Sequence, residues 1–579
     1  MVLMTTENLP DGRMHGKKKQ AYKRYKKLED DRSSWRSHWI EITDYLLPRR
    51  GRYLIESQNS RGRKRNNKII DGSPTQALRT MAAGMMSGMT SPARPWFRFQ
   101  TSDPDMMRNY QIKEWIQSAE RVCRDILHKS NFYNTVYNIY SELGAFGTAP
   151  LYRQRNAETT IRFRPFTAGE YVIAENDEGK VDTLGREFTM SVAQLVERFV
   201  VDPITKKESW AGVSDTTKKL WNSGQYDDLI TVIHMIQPRR NIDINASKMD
   251  ALNKPFMSCY FEVGSDSDEF LEEGGYDTFP AYVPRWDVLN GDIYGRSPAM
   301  DYLGDIKQLQ HEQKRKAQAI DKMVNPPMVA PTSLKGRPTT VIAGGTTYVD
   351  STQGGQGFIP AYQVQPRLNE LMMDIQEVQE RIARGFYADL FAMMIGSDRR
   401  QITATEVAER HEEKLVLLGP VLQRLNVELL DPLLDDTFRF AAEAGMVAPP
   451  PTELQGMDLK VEYVSLLAQA QQAVAAAGIE RTMGFAGNLV AVFPQIADNI
   501  DADVALREYS AILGNPTDIL KDEMEVNELR QQRAEAEQAA QQQQMAMDMV
   551  QGAKVLSETD TQNPNALTDV MGRGATTGV

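Results

Sequence analysis

The residues able to do covalent or metal chemistry are few, and they do not fall into the spacings such chemistry needs. Histidine–glutamate pairs occur at His311-Glu312 and His411-Glu412, but neither continues to the second histidine of H-E-x-x-H. That motif works by putting two imidazoles on one helix face around a metal. Gly295-Arg-Ser-Pro-Ala299 lacks the last glycine of the G-x-S-x-G turn that exposes a nucleophilic serine. No G-x-x-x-x-G-K-[ST] loop is present to cradle nucleotide phosphates. The 2 cysteines, Cys123 and Cys259, lie far apart and read as reduced structural thiols, with neither a zinc spacing nor a disulfide framework. The 6 histidines do not cluster, and no helix-turn-helix or zinc finger is recognisable. The expectation is a chain with no catalytic residue, no metal ligands and no cofactor.

What the sequence does offer is patterned charge. The formal net charge is −11 over 579 residues, which argues against a single strongly basic nucleic-acid-binding domain. It suits a protein with local basic patches. One patch is Lys17, Lys18, Lys19, Lys23, Arg24, Lys26 and Lys27. A second is Arg49, Arg50, Arg52, Arg61, Arg63, Lys64, Arg65 and Lys68, too dense to be helix charge balance. Each could hold phosphates or an acidic partner, or be a solvated helix face and a solvated loop. A polar belt at Gln310–Lys316 carries Lys314, Arg315 and Lys316, with Lys307 and Lys322 on either side. Finally, Arg399 and Arg400 sit in a polar loop between two long helical stretches, so a rigid scaffold would present them.

The elements that must position these charges follow from periodicity. Trp35, Trp39, Ile42 and Leu46 predict a helix over 17–47, ended by Pro48, with an exposed basic loop over 49–68. Helices are predicted at 73–89, opened by Ser73-Pro74, at 112–129 and at 134–143, before Gly144-Ala-Phe-Gly147. Strand alternation then takes over. Ile161 and Phe163 alternate with arginines, and 171–174 and 181–188 flank the turn Asn176-Asp-Glu-Gly179. Ser191-Val-Ala-Gln194 is a capping box for a short helix to Val200, and strands return at 229–236, 256–263 and 281–289.

From Ser297-Pro298 a helix is predicted to Val324, stopped by Pro326-Pro327. A second, over 368–390, keeps Leu368, Leu371, Ile375, Val378, Ile382 and Phe386 in three-four alternation. Between them lies short-strand and turn material. The simplest geometry is an antiparallel helical stalk with a small module at its tip. Such a stalk needs neighbours to bury it, and copies around a ring would supply them. A capping box at Thr403-Ala-Thr-Glu406 opens a long helix to about Ala444, which Pro420 and Pro432 must kink or interrupt. Ala/Gln-rich helix follows over 461–478, short helices over 481–520, polar helix over 523–550, and a tail over 552–579 whose composition reads as disordered. No uninterrupted apolar run of about 18 residues marks a membrane span, and the polar start over 1–16 has no signal-peptide core.

Several separate stretches stand out in order: Ile70-Asp-Gly-Ser-Pro74 with the Met/Gly/Ala helix after it, Ser91-Pro-Ala-Arg-Pro-Trp-Phe97, and Glu142-Leu-Gly-Ala-Phe-Gly-Thr-Ala149. Asp292-Ile-Tyr-Gly-Arg-Ser-Pro-Ala299, Thr403-Ala-Thr-Glu-Val-Ala-Glu-Arg410, Leu418-Gly-Pro420 and Arg424-Leu425 complete the set. Together they resemble the bacteriophage head-to-tail connecting proteins, the portal proteins of podovirus-type phages. The resemblance covers most of the chain to about Pro432; the extreme C-terminus has no clear pattern to match.

It implies a mainly helical α+β fold of portal type: a wing over 1–296, a stem helix over 297–324, a small β-containing clip over 325–367 and a second stem helix over 368–390. A tunnel loop over 391–402, a kinked long wing helix over 403–456, a crown over 457–551 and the tail over 552–579 would follow. It further implies a homododecamer, a ring of about twelve subunits at one capsid vertex, located in the virion at the head–tail junction and assembled in the host bacterial cytoplasm. Double-stranded DNA would pass through the ring during packaging and ejection. Terminase would dock at the clip, tail adaptor or nozzle proteins would replace it, and major capsid and scaffold proteins would surround the wing. On that layout the DNA-channel candidates are Arg399, Arg400, Lys307, Lys314, Arg315, Lys316 and Lys322. The wing basic patch is Arg49, Arg50, Arg61, Arg63, Lys64 and Arg65. Two other classes stand beside this one: a DNA-processing packaging enzyme with a dispersed acidic metal site, and a tail or scaffold protein without a channel.

Overall fold

The structure is a computed structural model. It describes residues 16–55, 68–101, 103, 106, 109–202, 205–239, 248, 250–265, 267–329, 335, 359–360, 368–395, 416–454, 459–490, 493, 495, 499, 501–512, 526–540 and 544–545. The chain divides into a unit over Met1–Ala475 and a smaller one over Ala476–Val579. The described residues form a mainly helical α+β structure with antiparallel sheets.

The N-terminal helix expected over 17–47 is two helices, α1 (Lys17–Asp31) and α2 (Ser33–Tyr45). They part at Arg32, whose buried guanidinium donates to the Gly169 and Tyr171 carbonyls. Trp39, Ile42 and Leu46 are buried, as their spacing requires. Pro48 does end the helix. The start of the expected basic loop is ordered, however: a 3-10 turn over Pro48–Gly51 and a helical turn over Arg52–Ile55 bury Leu54. Next come α3 (Ser73–Met89), α4 (Tyr110–Lys129) and α5 (Phe132–Phe146). Helix α5 runs through Gly144 and stops at Gly147, whose φ of +75° is a left-handed cap.

Strands β1 (Phe97–Thr101), β2 (Leu151–Asn156), β3 (Thr160–Pro165), β4 (Tyr171–Glu175) and β5 (Val181–Ser191) follow in chain order around these helices. After the expected capping box at Ser191, the chain adds β6 (Leu229–Pro238), β7 (Phe256–Glu262), β8 (Glu272–Tyr276) and β9 (Ala281–Tyr282). The main sheet has the order β4-β5-β6-β7-β8, and a smaller one the order β3-β2-β9. The strand expected over 281–289 stops at Tyr282, because Arg285 leaves the ladder to enter a charged cluster described below.

Helix α6 (Leu303–Val324) follows one short turn over Pro298–Asp301 capped by Ser297. Helix α7 (Leu368–Gly385) ends earlier than expected. Tyr387 takes a left-handed φ of +52°, and α8 (Ala388–Ile395) starts anew. Contacts between α6 and α7 run in opposite senses: Gly385 lies against the Tyr302 ring, and Arg381 pairs with Asp305 at 3.2 Å. Beyond the far end, β10 (Met328–Val329) pairs antiparallel with β11 (Ile359–Pro360). The antiparallel stalk with a small β element at its tip is therefore present; most of 325–367 lies outside the described residues.

Of the long helix expected from Thr403, residues 416–443 are described. The α-helix is interrupted just before Pro432. A π-turn over Asn426–Leu430 precedes α9 (Asp431–Glu443) and absorbs the lost i→i−4 bond and the ring clash. Residues expected to begin a separate C-terminal region instead return to the first unit. Strand β12 (Leu459–Tyr463) pairs with β1, aligning Phe99 with Val461. Helix α10 (Leu466–Val490) then begins. In the second unit, α11 (Ala502–Ile512) carries Asp503, which accepts two bonds from Arg530 at 2.6 and 2.8 Å. Residues 552–579 lie outside the described residues.

Candidate functional site

The antiparallel hairpin of α6 and α7, expected as the stem, has two halves that differ. In the first half, Leu303, Ile306 and Leu309 of α6 and Ile375, Val378 and Ile382 of α7 are buried in the main core. Polar groups finish the joint. Gln310 is buried; its side-chain oxygen accepts from the Ile70 and Asp71 backbone N–H groups at 2.6 and 2.8 Å, and its amide donates to the Asp71 carbonyl at 2.9 Å. The Asp71 carboxylate accepts from Gln313 of α6 at 2.7 Å and Gln379 of α7 at 2.9 Å. It also accepts from the Ser73 backbone and hydroxyl. One aspartate thus ties both stem helices to the start of α3. Burial pushes the Asp71 carboxyl up, but donors from Ser73, Gln379 and Gln313 outweigh it and hold it below the ordinary carboxylate range.

In the second half the same helix loses its partners. Ile320 is 41% exposed, Met323 47% and Val324 74%, with Met372 at 50% and Met373 at 70% on the facing end of α7. Apolar residues grouped on a stalk end are the surface expected of a protein–protein contact.

The predicted channel cations occupy different faces. Lys307 pairs with Glu41 of α2 at 2.7 Å and lies over the Tyr45 ring, so it is held against the first unit's own helix. Lys314, Arg315 and Lys322 are exposed and Lys316 is half-buried. At about 3.6 residues per turn, Arg315 and Lys322 fall opposite the face that buries Leu303, Ile306 and Gln310, with Lys314 and Lys316 on its two flanks. Arg315 is steadied by His311 and Gln318 on its own helix. Arg399 and Arg400 lie outside the described residues, as do Arg61, Arg63, Lys64 and Arg65. Arg49 is exposed. Arg50 turns inward, donating to the fully buried Glu142 and to Asn138 at 3.3 Å. Burial raises the Glu142 carboxyl against the pull of Arg50, the Thr167 hydroxyl and the Ala168 N–H.

Sequence spacing did not reveal the joints that hold the stem's base. Gly147 and Gly295 touch backbone to backbone; a Cβ on Gly295 would stand 2.4 Å from the Gly147 carbonyl oxygen. The Gly295 N–H donates to the Thr148 hydroxyl at 2.8 Å, and the Ser297 hydroxyl to the Ala145 carbonyl at 2.8 Å. Buried Arg285 donates to Glu428 at 2.8 Å and Glu175 at 3.0 Å, and its Nη2 also reaches the Gly179 carbonyl. Three of the quoted stretches, around Asp71, Gly147 and Gly295, are therefore contacts between distant segments, and the chemistry in them is packing and hydrogen bonding. Among the described residues, no group of three or more histidines, cysteines, aspartates and glutamates is arranged to hold a metal ion. No described helix is long and apolar enough to cross a membrane.

The described residues thus form an antiparallel helical stalk whose first helix carries exposed cations on the face away from the core. The chain matches the family described as bacteriophage head to tail connecting protein over residues 18–520, and it belongs to that family. It is 45% identical over 553 residues to the probable portal protein of Bordetella phage BPP-1, covering 96% of this chain and 98% of that one. It is 42% identical over 554 residues to the portal protein of Salmonella phage epsilon15, with the same coverage of 96% and 98%.

Proposed function

We propose that this chain is the portal subunit of a short-tailed phage and closes into a ring of about twelve copies at one capsid vertex. The stem hairpins, over 297–324 and 368–390, surround a channel for double-stranded DNA. The module over 325–367 docks the packaging terminase and later the tail adaptor or nozzle proteins, and the first unit meets the major capsid and scaffold proteins. The ring joins the head–tail junction of the virion after assembly in the host cytoplasm. The observation that carries this reading is the apolar far end of the stem, left open at Met323, Val324 and Met373 on a hairpin whose near end is fully packed. A second copy covers it at least cost.

In such a ring Arg315 and Lys322 become two circles of positive charge on the face turned away from the packed core, joined by the flanking Lys314 and Lys316 and by Arg399 and Arg400; the expected tunnel loop over 391–402 is shortened at its start, because α8 runs to Ile395. Lys307 is tied to Glu41 and acts on DNA least. Duplex must slide, so contacts to phosphate must stay few: each phosphate neutralised steepens salt dependence by about 0.9 in log–log slope. An acidic chain with sparse basic circles meets that requirement. Arg49, with Arg61, Arg63, Lys64 and Arg65, meets capsid components or DNA outside the channel, whereas Arg50 is held by Glu142 within the chain. The test is electron microscopy of the purified protein viewed end-on, with packaging assays on Arg315→Glu and Lys322→Glu. The reading expects closed rings with a central hole and impaired packaging by the variants. Filaments, or monomers at every concentration, would overturn it.

A further inference from the structure

Between the end of α3 and the start of α10 lies a cavity of about 250 Å³, walled in part by the stretch Ser91-Pro-Ala-Arg-Pro-Trp-Phe97. The stem and its joints leave that stretch without a role. The cavity's polar side chains are Ser87 of α3, Ser91 and Arg94 of the turn after it, Arg98 of β1, and Ser465 and Gln469 at the head of α10. No aspartate or glutamate lines it. Both arginines are exposed, so their donors are open to a ligand. Among the described residues no ion pair joins either of them to a carboxylate. The acids nearby are committed elsewhere. Glu462, opposite Arg98 in the ladder, accepts from Gln100 at 2.6 Å, and Glu120 accepts from the Phe99 backbone N–H at 2.8 Å. Ser465 is only 8% exposed. The Ser91 and Ser465 hydroxyl oxygens accept from the Ala93 and Ala468 N–H groups, both at 3.3 Å, and their protons remain to be donated.

We infer that this cavity binds a phosphate group, carried by free phosphate or by a nucleic-acid backbone. Guanidinium, hydroxyl and amide donors around one small space, with no acid among them, select a ligand made of acceptors. Arginine forks match carboxylate and phosphate alike. A phosphate's tetrahedral oxygens, however, take donors arriving from α3, β1 and α10 at once, where a planar carboxylate takes them in one plane. The volume lies below the usual range of about 300–1,000 Å³ for whole ligands, so the cavity suits a single group and its waters. The site uses no residue of the stem and does not depend on ring closure.

The test is phosphorus NMR of inorganic phosphate with the full-length protein at fixed ionic strength. Binding to so large a body should broaden the line saturably, and acetate should need at least about tenfold higher concentration than phosphate to compete. Arg94→Ala and Arg98→Ala should each weaken binding about three- to tenfold, and the two together should abolish the broadening. Both arginines are exposed, so the variants keep the fold, which circular dichroism checks. Arg79→Ala, which removes an exposed arginine of α3 outside the cavity, should leave binding as it is. A duplex oligonucleotide then separates the two sources. Return of the sharp line assigns the site to a backbone phosphate, and broadening that persists with duplex bound assigns it to free phosphate. Absence of broadening, broadening that survives the double variant, equal competition by acetate, or an equal loss in Arg79→Ala would each overturn the proposal.

Discussion

The near and far halves of helix α6 share one helix and one chain, yet they face opposite situations. From Leu303 to Gln313 every inward side chain has a partner in the chain, down to the amide of Gln310 and the carboxylate of Asp71. From Ile320 to Val324 the apolar side chains Ile320, Met323 and Val324 are exposed. The difference teaches which part of the molecule is self-sufficient. The base of the α6–α7 hairpin is packed within the chain, and its far end leaves Ile320, Met323 and Val324 exposed for the neighbouring copy of the proposed ring. Substitutions should therefore split into two sets, one lowering the stability of the single chain and the other lowering assembly only.

The largest effect on the single chain should come from Arg285. Arg285→Met would remove the buried guanidinium from Glu175 and Glu428, leaving Glu428 the residue 285 N–H and Arg424 at 3.9 Å, at a cost of about 3 kcal/mol in urea unfolding of the dissociated chain. Retention of wild-type stability would mean that the cluster is looser than its geometry. Next is Gln310→Leu, which strips the Ile70 and Asp71 N–H groups of their acceptor. It should cost about 1–3 kcal/mol by the same measurement.

Asp71 gives a smaller and pH-dependent effect. Its carboxyl is held below the ordinary range, so it contributes stability above the unfolded value of about 3.9 and loses that contribution as pH falls through the lower folded value. Unfolding followed from about pH 6 downward should show this loss below about pH 4 in the wild type and a shallower slope in Asp71→Asn. Equal slopes would break the link between Asp71 and the stem. At the bottom of the scale, Ile320→Ser and Met323→Ser should change the stability of the dissociated chain by less than about 0.5 kcal/mol, because both are already exposed.

How much of this was legible in the sequence differs along the same line. The stalk was legible because Ile375, Val378 and Ile382 keep one helical face, a local pattern that survives without knowledge of partners. The hairpin at Asn176–Gly179 and the capping box at Ser191 were legible for the same reason. Strands β1 and β12 were not, since each is short and pairs with a segment more than 350 residues away, Arg98 opposite Glu462. The polar belt was visible as residues but not as a joint: a glutamine on a helix reads alike whether it faces water or, as Gln310 does, a buried backbone turn. Basic residues were equally ambiguous, and Arg50 and Lys307 proved to be paired within the chain.

The most direct test of this division is mass photometry of the double variant Val324→Asp, Met373→Asp beside the wild type, with circular dichroism on both. The account expects closed rings from the wild type. It expects folded single chains from the variant, with unchanged helicity and unfolding midpoint. Rings from the variant at wild-type yield would contradict it, because the exposed stem end would then not be the surface that joins one copy to the next.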